Sequence, residues 1–155
     1  MATRITQPER KDPDAKAAEE AARELDSIAA RDRTATIAGR PITMREPTWL
    51  EALELDPGLQ PVIADIEATI ATATTTDWGE LQRILYRHRE VIMTMMGICA
   101  GVEPEWLVGL SDTDGQRLST LFWEVNGPFF GRRVRMRRAA AVAAAVRAGP
   151  TSLKH

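Results

Sequence analysis

Between Asp77 and Ala100, DWGELQRILYRHREVIMTMMGICA, the larger residues recur at alternating steps of three and four: Trp78, Leu81, Leu85, His88, Ile92, Met95 and Cys99. All but His88 are apolar, and Ile84, Val91, Met96 and Ile98 widen the stripe. Side chains at this period return to one face of an α-helix, and a stripe this broad belongs to a helix buried along one side. Asp77 suits the N-cap, Glu80 stands where a capping box needs it, and Gly101 stands where a helix-ending glycine belongs. The spacing predicts one central helix of roughly 35 Å, at 1.5 Å per residue. The expected fold class is therefore mainly α.

The rest of the chain fits around that helix. Residues 1–14 are polar, with Pro8 and Pro13, and read as a disordered lead-in. Residues 15–30 are rich in Ala and Glu, with Leu25 and Ile28 as the only large apolar residues, and read as a helix that packs loosely or forms only with a partner. Thr34 to Pro47 is the only stretch with strand character, predicting a hairpin that turns at Ala38-Gly39-Arg40-Pro41. A lone hairpin is barely stable, so it must lie on the helices or pair with another copy through an open edge. Thr48 begins a short helix whose apolar side is Trp49, Leu50, Leu53 and Leu55, ended by Asp56-Pro57-Gly58. A second runs from Pro61 to Ile70, and residues 71–76 link it to the central helix. Further helices are expected from Pro104, from Ser111-Asp112 to Val125, and, after Asn126-Gly127, from Pro128 to Ala148. The sum is about six to seven helices and one short hairpin near residues 34–46. They form a single domain over 15–148, in which 15–30 and the basic 128–148 helix stand somewhat apart, followed by a flexible tail at 149–155.

Composition narrows the functional classes. The longest apolar run, Val91 to Val102, is far short of the roughly 20 residues that span a bilayer. The N-terminus lacks an apolar signal core, so a cytoplasmic protein without a membrane partner is expected. Cys99 is the only cysteine, which excludes an intrachain disulfide and a cysteine cluster for zinc; its place on the stripe reads as core packing. Residues 1–127 carry 13 Lys+Arg against 22 Asp+Glu, a balance of −9, whereas residues 128–155 carry seven Lys+Arg and no acid, +7, giving −2 overall. A basic C-terminal segment on an acidic chain is expected to dock on something acidic.

No catalytic constellation emerges. His88 has no obvious partner for base or metal chemistry, Glu19-Glu20 and Asp112/Asp114 read as solvated faces and caps, and no glycine-rich phosphate loop is present. No enzyme activity, metal or cofactor is expected. Arg132, Arg133, Arg135, Arg137 and Arg138 are the one charge cluster. They spread around a helix without interleaved aromatics, which favours a solvated helix or one neutralising the protein's own acidic body over an acidic protein partner, with nucleic acid behind both. Of the four tryptophans, Trp49, Trp78, Trp106 and Trp123, at least one is expected on a partner-binding patch. Trp123, off the Leu118/Leu121/Val125 stripe and beside Phe122, is the one favoured here. The partner-binding candidates are Trp123, Phe129 and Phe130 with the five arginines.

Three segments together carry a family likeness: the hairpin and helix TIAGRPITMREPTWLEALEL, the helix end and turn GICAGVEPEWLVGLSDTDGQRL, and LFWEVNGPFF. From Thr34 to Phe130 the chain resembles the tail assembly chaperones of long-tailed bacteriophages, especially Mu-like and related transposable phages. The resemblance implies a non-enzymatic role in an infected or lysogenic host cell. Such proteins bind the tape-measure protein, keep its apolar helices soluble and help recruit tail-tube subunits, with several copies per complex. The alternative is a small phage nucleic-acid-binding or regulatory protein acting through Arg132 to Arg138. The Ala/Glu-rich 15–30 segment and the arginine-rich C-terminal helix have no counterpart in the family pattern.

Overall fold

The computed structural model describes residues 32–72 and 77–149. The expected lead-in at 1–14, the helix at 15–30 and the tail at 150–155 lie outside the described residues. Strands β1 (Arg33–Ile37) and β2 (Arg40–Met44) pair antiparallel, with Ala35 opposite Ile42. The two turn residues, Ala38 and Gly39, have φ of +50° and +74°. Positive φ at both central positions matches the twist of the flanking strands. Alternation then does what a half-buried strand requires: Ile37, Ile42 and Met44 are buried, whereas Thr34, Thr36, Pro41 and Thr43 face out. The hairpin lies on the helices, the first of the two expected alternatives. Arg45 N donates to Cys99 O at 3.1 Å, and an Arg117 guanidinium N–H donates to Thr36 O at 2.9 Å.

Five helices follow among the described residues: α1 (Trp49–Thr72), α2 (Trp78–Arg87), α3 (Arg89–Ala100), α4 (Pro104–Val108) and α5 (Asp112–Ala148). The mainly helical class with one hairpin is as expected, but three boundaries differ. The helices expected to end at Pro57-Gly58 and to restart at Pro61 are one helix. Pro57 and Pro61 are both exposed, so the carbonyls of Leu53 and Pro57 that lose an N–H partner lie on the water side. Gly58 is a contact point: a Cβ there would lie 2.8 Å from Val91 Cγ2 on α3.

The central helix is broken at His88, whose φ of −108° and ψ of +30° leave the helical region. The expected stripe survives the break, with Leu81, Ile84, Leu85, Ile92, Met95, Met96 and Cys99 all buried. At its start Asp77 Oδ1 accepts from Gly79 N at 3.1 Å. The expected capping box is not completed, because Glu80 turns to Arg83 at 2.7 Å. At its end Gly101 is left-handed (φ +66°), and Val102 N reaches Gly97 O at 3.0 Å, a glycine C-cap.

The third difference is α5, which was expected as two helices and runs unbroken through Asn126-Gly127-Pro128. Asn126 is fully buried, and its Nδ2 donates to Arg45 O at 3.3 Å. Gly127 lies beside the Trp123 indole. Pro128 costs only the hydrogen bond to Glu124 O. Leu118, Leu121, Phe122, Val125, Phe129, Phe130 and Val134 bury one face of α5 against α1 and the hairpin. From Arg135 onward every described residue of α5 is exposed, so the helix outruns the body. Among the described residues no helix is long and apolar enough to cross a membrane.

Candidate functional site

Two of the three aromatic candidates lie in the core, and the third packs at its edge. Phe129 and Phe130 are buried and meet edge to face at 5.4 Å between ring centres. Trp123 is half-buried, stacked on Phe130 at 5.7 Å, and closes a small cleft against Ile66, Leu81 and Ile84. Its position off the Leu118/Leu121/Val125 stripe points it at α1 and α2 instead of at solvent. Burial takes Phe129 and Phe130 out of the expected binding patch, whereas Trp123 packs on Phe130 from a half-buried position.

Four of the five clustered arginines pair with acids of the same chain. Arg132 holds Glu46, Arg133 reaches Asp56 at 3.5 Å, and Arg137 and Arg138 share Glu67 at 2.9 and 3.5 Å. The Arg133 guanidinium also lies 5.1 Å from the Phe129 ring centre. Arg135 has no ion pair among the described residues. Of the two favoured readings of the cluster, a solvated helix or one neutralising the acidic body, the second is the arrangement found.

Two aromatics are strongly exposed among the described residues, Tyr86 on α2 at 70% and Trp49 at the start of α1 at 77%; beside Trp49, Leu50 and Leu53 are 59% and 45% exposed. The buried side of α1 is instead Ala52, Leu55, Leu59, Val62, Ile63 and Ile66. Trp49, Leu50 and Leu53 were expected to face inward, and alanine at 52 concealed the true phase. Carrying the Val62/Ile63/Ile66 stripe back through Pro57 would have reached Leu59, Leu55 and Ala52, leaving these three outside.

The base of this apolar face is fixed. Thr48 N donates to Glu51 Oε2 at 2.8 Å and Glu51 N to Thr48 Oγ1 at 3.3 Å, a reciprocal capping box. Both Glu51 oxygens also accept from the Arg45 guanidinium, at 2.7 and 2.9 Å. The Arg45 bond, with the Thr48 N–H, holds the Glu51 carboxyl down to about 2, and Glu51 in turn raises Arg45. The Arg45 peptide is bonded on both sides, its N–H to Cys99 and its C=O to Asn126. Trp49 thus projects from a segment tied to α3 and α5. Behind it, Cys99 is buried, and burial pushes its thiol up to about 12, in keeping with core packing.

His88 does have a carboxylate neighbour that sequence spacing did not reveal. Asp65 Oδ2 on α1 lies 2.7 Å from His88 Nε2 and 2.9 Å from the Arg87 guanidinium. The trio ties α1 to the α2–α3 break. Among the described residues no group of three His, Cys, Asp or Glu side chains is placed to hold a metal ion. Residues 25–155 match the model of DUF6631, a family of unknown function. No curated protein and no solved structure matches the chain.

Proposed function

The chain belongs to the DUF6631 family, whose function is unknown, and we propose that it is a non-enzymatic protein-binding module of the tail-assembly-chaperone kind. Its partner would be an apolar helical segment of a phage tape-measure protein, with tail-tube subunits recruited to the same complex and several copies of the chain per partner. The observation that carries the reading is the Trp49–Leu50–Leu53 face. Three large apolar side chains stand in water at positions i, i+1 and i+4 of a helix whose start is held rigid by Arg45 and Glu51. Exposed Trp and Leu on a preorganised backbone are the anchors protein interfaces use, because little side-chain or backbone entropy remains to be lost on binding. A helix with apolar residues at three- and four-residue spacing is the complementary surface. The resemblance over Thr34 to Phe130 names the partner, and the site of action would be the host cytoplasm.

The nucleic-acid alternative is weaker, since four of the five clustered arginines already pair with acids of the chain. Co-expression tests the proposal: the tape-measure protein of the same phage should be recovered soluble, in complex with this chain. Replacing Trp49, Leu50 and Leu53 by Ser should abolish the recovery.

A further inference from the structure

Two apolar patches are left uncovered by the described residues, and they sit at opposite ends of α1. The first is the Trp49–Leu50–Leu53 face. The second is the part of α5 that outruns the body, where Met136, Val142 and Val146 are 60%, 64% and 75% exposed. Val142 and Val146 share the side of α5 that carries Arg135, and Met136 and Arg147 border it.

Ion pairs along α5 show that one chain cannot bring its own two patches together. Arg133 reaches Asp56, whereas Arg137 and Arg138 share Glu67. Moving along α5 from 133 to 138 therefore moves along α1 from 56 to 67, away from Trp49. Glu67 is already roughly 27 Å along α1 from Trp49, and α5 continues for roughly another 15 Å past Arg138. A tail that reaches the Trp49 face comes from a second copy.

The two patches are complementary in charge and in hydrogen bonding. On the tail, Arg135 and Arg147 have no ion pair among the described residues, and residues 128–149 carry no acid. On α1, the exposed Glu54 next to Leu53 has no ion pair among the described residues. The carbonyls of Leu53 and Pro57, which lose their N–H partners to Pro57 and Pro61, add acceptors on the same water-facing side. Pairing two Trp49 faces would set Glu54 against its copy, and pairing two tails would set arginines against arginines. Only the unlike pairing joins donors to acceptors while burying both sets of apolar side chains.

We propose that the C-terminal part of α5, through Val142 and Val146, docks on the Trp49–Leu50–Leu53 face of a second copy and so joins copies head to tail. The contact is heterologous, with each copy giving a tail to one neighbour and a face to another. The inference concerns the chain by itself and does not rest on the proposed function. Analytical ultracentrifugation of the purified full-length chain tests it, with Trp49→Ser/Leu50→Ser/Leu53→Ser and Val142→Gln/Val146→Gln as variants. Glutamine forms helix at least as well as valine and adds no charge, so the second variant keeps α5, and unchanged circular dichroism verifies both. The expected result is a mean mass that rises with concentration by about two-fold or more in the wild type and stays monomeric in each variant alone. An equimolar mixture of the two variants should form a one-to-one dimer and nothing larger, because each supplies the patch the other lacks. A wild type that stays monomeric into the millimolar range would overturn the proposal. So would association that survives in either variant, or a mixture that remains monomeric.

Discussion

Asp65 on α1 and His88 at the α2–α3 break lie 2.7 Å apart, and the same carboxylate oxygen holds Arg87 at 2.9 Å. The His88 bond, then Arg87, places the Asp65 carboxyl below its ordinary range. A carboxylate lowered in the folded state stabilises the fold fully above the ordinary carboxylate range and loses that contribution as pH falls through its own depressed value. Asp65→Asn should therefore cost on the order of 1 kcal/mol at neutral pH, the scale of a part-exposed charged hydrogen bond. Urea denaturation of wild type and variant should give curves that converge as the pH is lowered below the ordinary Asp range.

Gly58 and Val91 provide a packing test. Alanine is the better helix former by about 1 kcal/mol, yet a Cβ at position 58 meets Val91 Cγ2 at 2.8 Å. Gly58→Ala should destabilise the protein by about 1–2 kcal/mol through this overlap. In the Val91→Ala background the same change should become neutral or stabilising, since the obstructing methyls are gone. Thermal or urea unfolding of the four proteins gives the coupling directly.

Glu51 should report acid sensitivity at the foot of the Trp49 face. Its carboxyl is held at about 2 by Arg45 and the Thr48 N–H. The stabilisation is complete above about pH 5 and lost as pH falls from there toward 2. Because the pair is partly solvated, Glu51→Gln should cost about 1 kcal/mol at neutral pH and little at pH 2. Exchange of the α1 N-terminal amides, read at both pH values, checks the local effect.

How much of this was legible beforehand depends on which residues carried the signal. The Trp78-to-Cys99 stripe indicated the helical class because period and burial agree there, and the strand-forming residues from Thr34 to Pro47 around the Ala38-Gly39 turn indicated the hairpin. Breaks assigned at Pro57-Gly58 and Asn126-Gly127-Pro128 were wrong for a shared reason. Local turn chemistry was outweighed by tertiary contacts, Gly58 against Val91 and Asn126 on Arg45 O. The break at His88 was invisible because its partner, Asp65, lies 23 residues away. The Trp49 face was missed because a tryptophan at a helix start reads as core, and the small Ala52 gave the inward stripe too weak a signal.

The arginine cluster yields a prediction on salt. Replacing Arg132, Arg133, Arg137 and Arg138 by Gln removes contacts to Glu46, Asp56 and Glu67. At low ionic strength the variant should lose about 1–3 kcal/mol, summing modest exposed pairs, with a smaller loss at high salt. Urea midpoints at the two salt concentrations measure it. A variant as stable as wild type at low salt would mean that the pairs do not secure α5.

The central claim is that Trp49, Leu50 and Leu53 face a partner and not the core. The most direct measurement is co-expression of the tape-measure protein with wild type and with the Trp49→Ser/Leu50→Ser/Leu53→Ser chain, scored by soluble complex and by unfolding free energy. The account predicts a soluble complex with wild type, its loss with the triple variant, and a stability change within about 1 kcal/mol, as for exposed side chains. An insoluble tape-measure protein in both cases, or equal recovery with the triple variant, would contradict it.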